Sequence, residues 1–288
     1  MMRIAITKLV ASGNDFVLLD ARAYAPKIQL NTLAKNICNR KFGIGADGLL
    51  VLEKSKKATF KMRIFNTDGS EAEMCGNGAR CAAYYIRQQK AAAKGEPRQR
   101  RESRKQILIE TKAGMLTAQI DKDQVAINMT RPKDIKLDIL LMLNRRKVKA
   151  NFINSGVPHV VLLSEGLEDF DVFSLGRPIR YHKRFQPKGT NVNFIEPIST
   201  NRIKIRTYER GVEQETLACG TGAVASSIIY FLKLRENKLI KDLKSFKFFV
   251  QTRSGETLEV NFDVHNKTID NVWLKGKARI ICEGVYYV

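Results

Sequence analysis

The chain has 288 residues, of which 44% are hydrophobic, so it is long enough to bury one large core or two medium-sized ones. Its net charge is +21, and its five cysteines do not form the spaced framework of a small disulfide-rich protein. No apolar run approaches the roughly 20 residues of a membrane-spanning helix, and no signal-peptide pattern is present. We therefore expect a cytoplasmic protein with reduced thiols and no membrane contact.

The first half of the chain predicts a strand-rich unit with one long helix. Alternating apolar and polar residues indicate strands at 2–9, 16–20, 49–53 and 60–66, and a meander at 106–111, 115–121 and 124–129. Helical spacing predicts one helix over 30–40, with Asn31 as its cap, and a longer one that follows Cys75 and runs to about Lys90. Residues 43–48 form a glycine loop without the spacing of a nucleotide site.

The second half repeats this order after a crossing near Pro132. Strands are predicted at 149–155, 160–163, 192–196, 204–209, 246–252, 258–262, 271–274 and 278–287, with a helix-like stretch at 171–176 and a long helix after Cys219. Many strands with one long helix in each half indicate an α+β fold. We expect each half to be a curled, mostly antiparallel sheet around its central helix.

An internal duplication relates the two halves. Sliding the chain on itself by about 143 residues places 13–19 on 156–162 and 62–66 on 205–209, and one extra residue brings Cys75 onto Cys219. We therefore expect two pseudo-symmetric lobes whose equivalent residues face each other across a polar cleft. The expected facing pairs are Asn14 with Val157, Gly48 with Asn191, Asn66 with Glu209, and Cys75 with Cys219.

Each half contains a cysteine, then Gly-x-Gly-Ala, then a predicted helix. The two copies are CGNGA at 75–79 and CGTGA at 219–223. Glycines allow backbone N–H groups to approach a ligand, and the start of a helix stabilises a thiolate or a bound carboxylate. The pattern therefore predicts two reactive thiols that serve one anionic substrate, whereas Cys38, Cys81 and Cys282 are interpreted as structural.

These motifs resemble the diaminopimelate epimerases over nearly the whole chain. The most specific segments are SGNDF at 12–16, FNTDGS at 65–70, MCGNGARC at 74–81, YERG at 208–211 and CGTG at 219–222. The resemblance implies a cofactor-independent enzyme, commonly a homodimer, that converts LL-2,6-diaminopimelate to the meso form. It also implies a two-lobed fold, with residues 1–131 and the returning 275–288 in one lobe and 132–274 in the other.

The resemblance further implies a role for each site residue. Cys75 and Cys219 would be the two acid/base residues, and His159 would lie beside the thiols. The backbone of Gly76, Asn77, Gly220 and Thr221 would hold the reacting α-carboxylate. The substrate would also be bound by Asn14, Asn66, Asn191, Glu209 and Arg210. Two positions depart from the commonest family pattern: Val157, where many members have Asn, and Gly48, where some have Gln.

Other interpretations of the same residues remain open. His159 is also compatible with a hydrogen-bonded core histidine, and Glu209 with Arg210 with a plain surface pair. Val157 and Gly48 allow an epimerase or racemase for another amino acid, such as glutamate. The net charge and the basic run at 94–105 allow a nucleic-acid-binding protein without catalysis. We favour a solvated loop for that run, because the chain shows no nucleic-acid module.

The sequence predicts neither a metal nor an organic cofactor. Cys75 and Cys81 are six residues apart, with no further ligands at zinc spacing. No lysine lies in a recognisable pyridoxal-phosphate motif, so an electron sink of that kind is not expected.

Overall fold

The computed structural model describes residues 2–22, 28–93, 106–143, 146–240, 243–265 and 268–288. The chain divides into two compact units, Met1–Asn128 with Lys275–Val288, and Met129–Leu274. The division predicted from the sequence places the first boundary at residue 131 instead of 128. The basic run at 94–105 lies outside the described residues.

Apart from the first strand of the second unit and the last strand of the chain, which returns to the first unit, the helices and strands follow one another in the same order in both units. The first unit contains β1 (Arg3–Ala11), β2 (Asn14–Asp20), α1 (Leu30–Ile37), β3 (Gly48–Glu53), β4 (Phe60–Asn66), β5 (Glu71–Ala72), α2 (Gly76–Ala93), β6 (Ile107–Thr111), β7 (Gly114–Asp121) and β8 (Gln124–Asn128). Then come β9 (Lys133–Leu143), β10 (Arg146–Asn154), β11 (Pro158–Leu163), α3 (Val172–Arg180), β12 (Asn191–Ser199), β13 (Arg202–Glu209), β14 (Gln214–Thr216), α4 (Gly220–Glu236), β15 (Ser245–Gln251), β16 (Thr257–His265), β17 (Thr268–Lys277) and β18 (Arg279–Tyr287).

Strand pairing also repeats between the units. In the first unit, β1 pairs antiparallel with β18 and β2, β2 pairs parallel with β3, and β3 pairs antiparallel with β4. In the second, β10 pairs antiparallel with β9 and β11, β11 pairs parallel with β12, and β12 pairs antiparallel with β13. A second parallel pair follows in each unit, β4 with β6 and β13 with β15. The predicted α+β class, mostly antiparallel, is confirmed.

Each unit is built around its long helix. Helix α2 contacts strands β1–β4, β6–β8 and β18, and α4 contacts β10–β13, β15 and β16. Helix α4 is buried at nearly every position between Gly220 and Phe231. A helix that is apolar on all sides must be surrounded by protein, so the sheet curls around it. Both cysteine loops are therefore held at the start of a helix that cannot shift without disturbing a core.

The short helices cover the outside of each sheet. Helix α1 packs Leu33, Ala34 and Ile37 into a cluster with Val17 and Val51. Helix α3 begins at the cap Asp171, whose side chain accepts the Ser174 N–H, and packs against the second sheet.

Two details of the elements differ from the sequence prediction. The cap predicted at Asn31 is wrong: α1 starts at Leu30, and the Asn31 side chain accepts the N–H of Thr32 inside the helix. Packing of Leu30 against the core extends the helix past Asn31. Strand β9 was not predicted, and neither were the short strands β5 and β14. Among the described residues, no helix is long and apolar enough to cross a membrane.

Candidate active site

Cys75 lies directly before α2 and is partly buried. The Gly78 N–H donates to Cys75 Sγ at 3.4 Å, and the Ala79 N–H donates to the Cys75 carbonyl oxygen at 2.8 Å. This is the geometry of a helix N-cap with sulfur as the side-chain acceptor. Backbone donors and the helix dipole both stabilise a thiolate at this position.

The Asn14 side chain is oriented towards Cys75 by Asp47. Asn14 Nδ2 donates to Asp47 Oδ2 at 2.7 Å, which turns Asn14 Oδ1 to the other side. That oxygen accepts from Asn77 Nδ2 at 3.3 Å and lies 3.9 Å from Cys75 Sγ. Asp47 is itself held by Arg40 at 2.7 Å. Two of the predicted substrate-binding residues, Asn14 and Asn77, are therefore brought together at the first thiol.

A buried arginine supports this half of the site from behind. Arg80, in the second turn of α2, is fully buried. Its guanidinium donates to Asn77 Oδ1, to Ser12 Oγ at 3.1 Å and to the Lys277 carbonyl oxygen at 3.2 Å. It thereby fixes the Asn77 amide and adds a positive charge close to the start of α2.

Cys219 holds the equivalent position before α4. It is the N-cap residue, with extended backbone angles of φ −117° and ψ 111°, and it is buried. The Ala223 N–H donates to its carbonyl oxygen at 2.9 Å. Its Sγ lies 3.5 Å from Thr221 Oγ1. The predicted residues Gly220 and Thr221 form the first turn of the helix.

His159 is fully buried in β11 and is separated from Cys219 by one hydroxyl group. Its Nε2 lies 2.9 Å from Thr221 Oγ1, and its Nδ1 lies 3.0 Å from Asn193 Nδ2. Burial, with repulsion from the charge of Arg210, lowers the pKa of His159 to about 3. The imidazole is therefore neutral near pH 7.

The remaining predicted residues lie at strand ends. Asn191, at the start of β12, donates to the Pro158 carbonyl oxygen at 3.1 Å and accepts the Arg210 N–H at 2.8 Å. Glu209 accepts from Thr216 Oγ1 at 2.8 Å, and Arg210 Nη1 donates to the Lys188 carbonyl oxygen at 3.1 Å. Asn66, at the end of β4, is exposed and donates to Ser70 Oγ at 2.9 Å.

A family model described as diaminopimelate epimerase matches residues 6–135 and 151–281. The chain belongs to the diaminopimelate epimerase family.

Individual members of the diaminopimelate epimerase family are similar to the chain from end to end. The diaminopimelate epimerase of Aquifex aeolicus is 38% identical over 289 residues, which cover 96% of this chain and 95% of the relative. That of Archaeoglobus fulgidus is 38% identical over 298 residues, covering 99% and 96%. The match therefore includes both halves and both cysteine loops.

Solved structures show the same fold at much lower identity. A PhzF-family phenazine biosynthesis protein of Bacillus anthracis has a TM-score of 0.74 at 16% identity, covering 100% of both chains. A hydroxyproline epimerase of Agrobacterium vitis has a TM-score of 0.70 at 15% identity, covering 98% of this chain and 92% of the other. At this identity the likeness concerns the fold alone.

The two departures from the commonest diaminopimelate epimerase pattern lie at strand ends. Gly48 pairs with Phe16 on β2 and with Asn66 on β4. A Cβ atom at this position would lie 2.9 Å from the Phe65 carbonyl oxygen, so a larger residue would require the backbone to move. Val157 is in the turn before β11, where its carbonyl oxygen accepts the Ser155 N–H at 3.2 Å.

Several residues that hold the site residues in place were not predicted from the sequence. These are Asp47, Arg80, Ser155 and Asn193; Ser155 Oγ donates to the Thr221 carbonyl oxygen at 2.8 Å. A signal was present for two of them. Arg80 stands between Ala79 and the apolar run Cys81–Ala83, and Asn193 lies between Val192 and Phe194 in an apolar strand. Polar residues at such positions need specific partners.

Proposed function

We propose that Cys75 and Cys219 are the two bases with which this chain converts LL-2,6-diaminopimelate to the meso form. The activity itself follows from membership of the diaminopimelate epimerase family. One observation carries the assignment of the bases: the two cysteines occupy equivalent positions, each directly before the buried central helix of its unit. In a duplicated fold, this equivalence is what a reaction with one acid/base group on each face of the substrate requires.

Inversion needs a proton to leave one face of the α-carbon and another to arrive on the opposite face. One thiolate takes the α-proton, so a C–H bond breaks, an S–H bond forms, and the electron pair stays on the carbon. The other thiol then gives its proton to that carbon and becomes the thiolate. Charge is balanced throughout, and the roles of the two sulfurs exchange in the reverse direction.

The carbanion intermediate needs stabilisation, because the α-proton of an amino acid is very weakly acidic. We assign this to the N–H groups of Gly76, Asn77, Gly220 and Thr221, at the starts of α2 and α4. Preorganised donors of this kind contribute about 3–4 kcal/mol each by analogy with an oxyanion hole. The helix dipoles favour the same negative charge. The polar groups of the substrate are assigned to Asn14, Asn66, Asn191, Glu209 and Arg210, with His159 beside the thiols.

The reduced thiols that this chemistry requires fit a cytoplasmic enzyme.

We also propose that the enzyme is a homodimer, as the family resemblance implies. Exposed apolar side chains on β18, among them Ile281, Val285 and Tyr287, provide area that a second copy would cover. Sedimentation at micromolar concentration measures the mass directly, and a monomeric mass would contradict this proposal.

Isotope exchange tests the proposed bases. LL-diaminopimelate is incubated with the reduced enzyme in deuterated water, and α-deuterium and the meso isomer are followed by NMR. The wild type should produce α-deuterated meso product. Cys75→Ala and Cys219→Ala should each abolish inversion, because a single thiol can exchange a proton on only one face.

The matched control is Cys282→Ala, which removes an exposed cysteine on β18. It should leave the rate of inversion unchanged. Inversion at the wild-type rate in either Cys75→Ala or Cys219→Ala would exclude that residue as a base.

A further inference from the structure

Three polar side chains form a continuous chain that ends at Cys219. Asn193 is 3.0 Å from His159, His159 is 2.9 Å from Thr221, and Thr221 Oγ1 is 3.5 Å from Cys219 Sγ. Asn193 and His159 are fully buried. Since a buried polar group without a partner costs about 1–3 kcal/mol, such a chain is stable only when every member is hydrogen-bonded.

The direction of the hydrogen bonds follows from the orientation of the Asn193 amide. Asn193 Nδ2 lies 3.1 Å from the Val160 carbonyl oxygen, which can only accept, so the amide nitrogen must face this side. Asn193 Oδ1 accepts from Thr207 Oγ1 at 3.0 Å on the other side. An amide nitrogen can only donate, so the His159 nitrogen that it meets, Nδ1, carries no hydrogen. A neutral His159 therefore has its hydrogen on Nε2.

The tautomer of His159 decides what Thr221 can do. Nε2–H donates to Thr221 Oγ1, so the hydroxyl hydrogen of Thr221 is available for another acceptor, and Cys219 Sγ lies within reach. A donor aimed at sulfur stabilises the thiolate more than the thiol. Burial and, after it, the charge of Arg210 disfavour the imidazolium and so keep His159 neutral in this arrangement.

At the corresponding described positions, the first unit has apolar residues instead of this chain. Strand register places Phe16 opposite Gly48 and Leu18 opposite Leu50, as it places His159 opposite Asn191 and Val161 opposite Asn193. The equivalents of His159 and Asn193 are therefore the apolar residues Phe16 and Leu50. An apolar pair fills the same core positions without burying a polar group. Packing alone therefore does not require the hydrogen-bonded chain of the second unit.

We propose that Asn193 is a positioning residue for the epimerisation: it sets the Nε2–H tautomer of His159 and thereby makes the Thr221 hydroxyl a hydrogen-bond donor to the Cys219 thiolate. This inference rests on the proposed role of Cys219 as one of the two bases. Asn193 acts through His159 and Thr221 and does not itself contact the sulfur.

The tautomer can be measured directly, because the chain has three histidines. ¹H–¹⁵N spectra of the imidazoles, assigned with His182→Gln and His265→Gln, should show His159 with its hydrogen on Nε2 in the full-length enzyme at neutral pH. In Asn193→Asp, the carboxylate has nearly the same shape as the amide that it replaces, but it can only accept hydrogen bonds. The ring hydrogen of His159 should therefore move from Nε2 to Nδ1. A wild-type hydrogen on Nδ1, or a neutral His159 that keeps its hydrogen on Nε2 in Asn193→Asp, would overturn the proposal.

The effect on Cys219 is read from the rate of its alkylation by iodoacetamide, with peptide mass spectrometry following Cys75 in the same sample. Asn193→Asp and Thr221→Val should each slow alkylation of Cys219 about tenfold, the effect of losing one hydrogen bond to a charged group, and leave Cys75 unchanged. The double variant should be no slower than either single variant, because both remove the same hydrogen bond. Thr221→Ser, which keeps the hydroxyl, should react at the wild-type rate.

The matched control is Asn151→Asp. Asn151 is also a buried asparagine of the second unit that donates to a strand carbonyl, that of Val161 at 3.2 Å. This control should leave the alkylation of Cys219 unchanged. Unchanged alkylation in Thr221→Val or Asn193→Asp, or equal slowing of Cys219 and Cys75, would refute the proposal. Neither the imidazole spectra nor the alkylation rates require turnover, so this test is independent of the isotope-exchange test of the two bases.

Discussion

Gly222, three residues after Cys219, has no space for a side chain. A Cβ atom there would lie 2.4 Å from Asn193 Oδ1 and 3.3 Å from Cys219 Sγ. Gly222→Ala must therefore displace both the polar chain and the thiol. We expect a loss of at least about tenfold in kcat/KM and a lower melting temperature, since overpacking costs about 1–3 kcal/mol.

The equivalent glycine of the first unit provides the control. A Cβ atom at Gly78 would meet Leu50 Cδ2 at 3.0 Å, the end of a side chain that can rotate away. Gly78→Ala should therefore cost less in both kcat/KM and melting temperature, as measured by an epimerisation assay and by calorimetry. Equal losses in the two variants would show that the rigid contact with Asn193 is not the cause.

At the scale of single residues, the sequence predicts the position of the two cysteines at helix starts better than it predicts which residues hold them there. Cys75 and Cys219 are identified by the Gly-x-Gly pattern that follows each of them in the chain. Two of the hydrogen bonds that hold them, Asn14 to Asp47 and Asn193 to His159, join residues more than 30 positions apart. Those contacts depend on strand register, which the sequence pattern does not specify to the residue.

Asp15 connects three elements of the first unit. Its carboxylate accepts from Lys8 on β1 at 2.6 Å and from Arg40, after α1, at 2.8 Å, while the residue itself belongs to β2. Burial alone would raise the pKa of Asp15, but hydrogen bonds and charge from Arg40 and Lys8 outweigh it and lower that pKa to about 2. An unfolded aspartate titrates at about 3.9.

A carboxyl group with a lowered native pKa stabilises the fold above its unfolded pKa, and this contribution is lost as the pH falls through the native value. The relevant window therefore runs from about pH 4 down to about pH 2. Asp15→Asn should reduce the free energy of unfolding at pH 7 and flatten its decline across that window. Urea unfolding at a series of pH values measures both effects, with Asp121→Asn, an exposed carboxylate on β7, as the control. A slope as steep in Asp15→Asn as in the wild type would contradict the assignment.

At the scale of elements, strong periodicity was the reliable signal. Both long helices and most strands lie where the alternation of apolar residues predicts them. The cap at Asn31 was predicted wrongly because a partly buried Leu30, packed against the core, extends α1, which is a tertiary effect. Strand β9 was missed, although its residues lie beside β10 over much of its length. Residues 135–141 (IKLDILL) place an apolar side chain at every second position, so the sequence does carry the signal for this strand.

For the whole molecule, the duplication explains which features are shared and which are specialised. Both units repeat the same strand pairings around a central helix, so the position of each cysteine is set twice by the same architecture. The residues behind the cysteines differ: Arg80 lies in the first unit, and His159 with Asn193 in the second. Sequence periodicity predicted the shared part. The specialised part consists of polar residues in core positions. The family resemblance placed His159 beside the thiols, whereas the roles of Arg80 and Asn193 became visible only from their hydrogen bonds.

The net charge of +21 leads to a prediction about stability in salt. Like charges repel one another in a compact chain, and salt screens this repulsion as the Debye length falls from about 30 Å at 0.01 M to about 10 Å at 0.1 M. Salt also weakens ion pairs such as Arg206–Glu215, at 2.6 Å, but partly exposed pairs contribute only about 0–1 kcal/mol each. The repulsion should therefore dominate, and the melting temperature should rise by a few degrees between 0.01 M and 0.1 M sodium chloride, as calorimetry would show.

A variant with glutamine in place of the lysine and arginine residues of 94–105 carries less positive charge, so its melting temperature should rise less. A melting temperature that falls with salt would mean that ion pairs, rather than net repulsion, control the electrostatic contribution to stability.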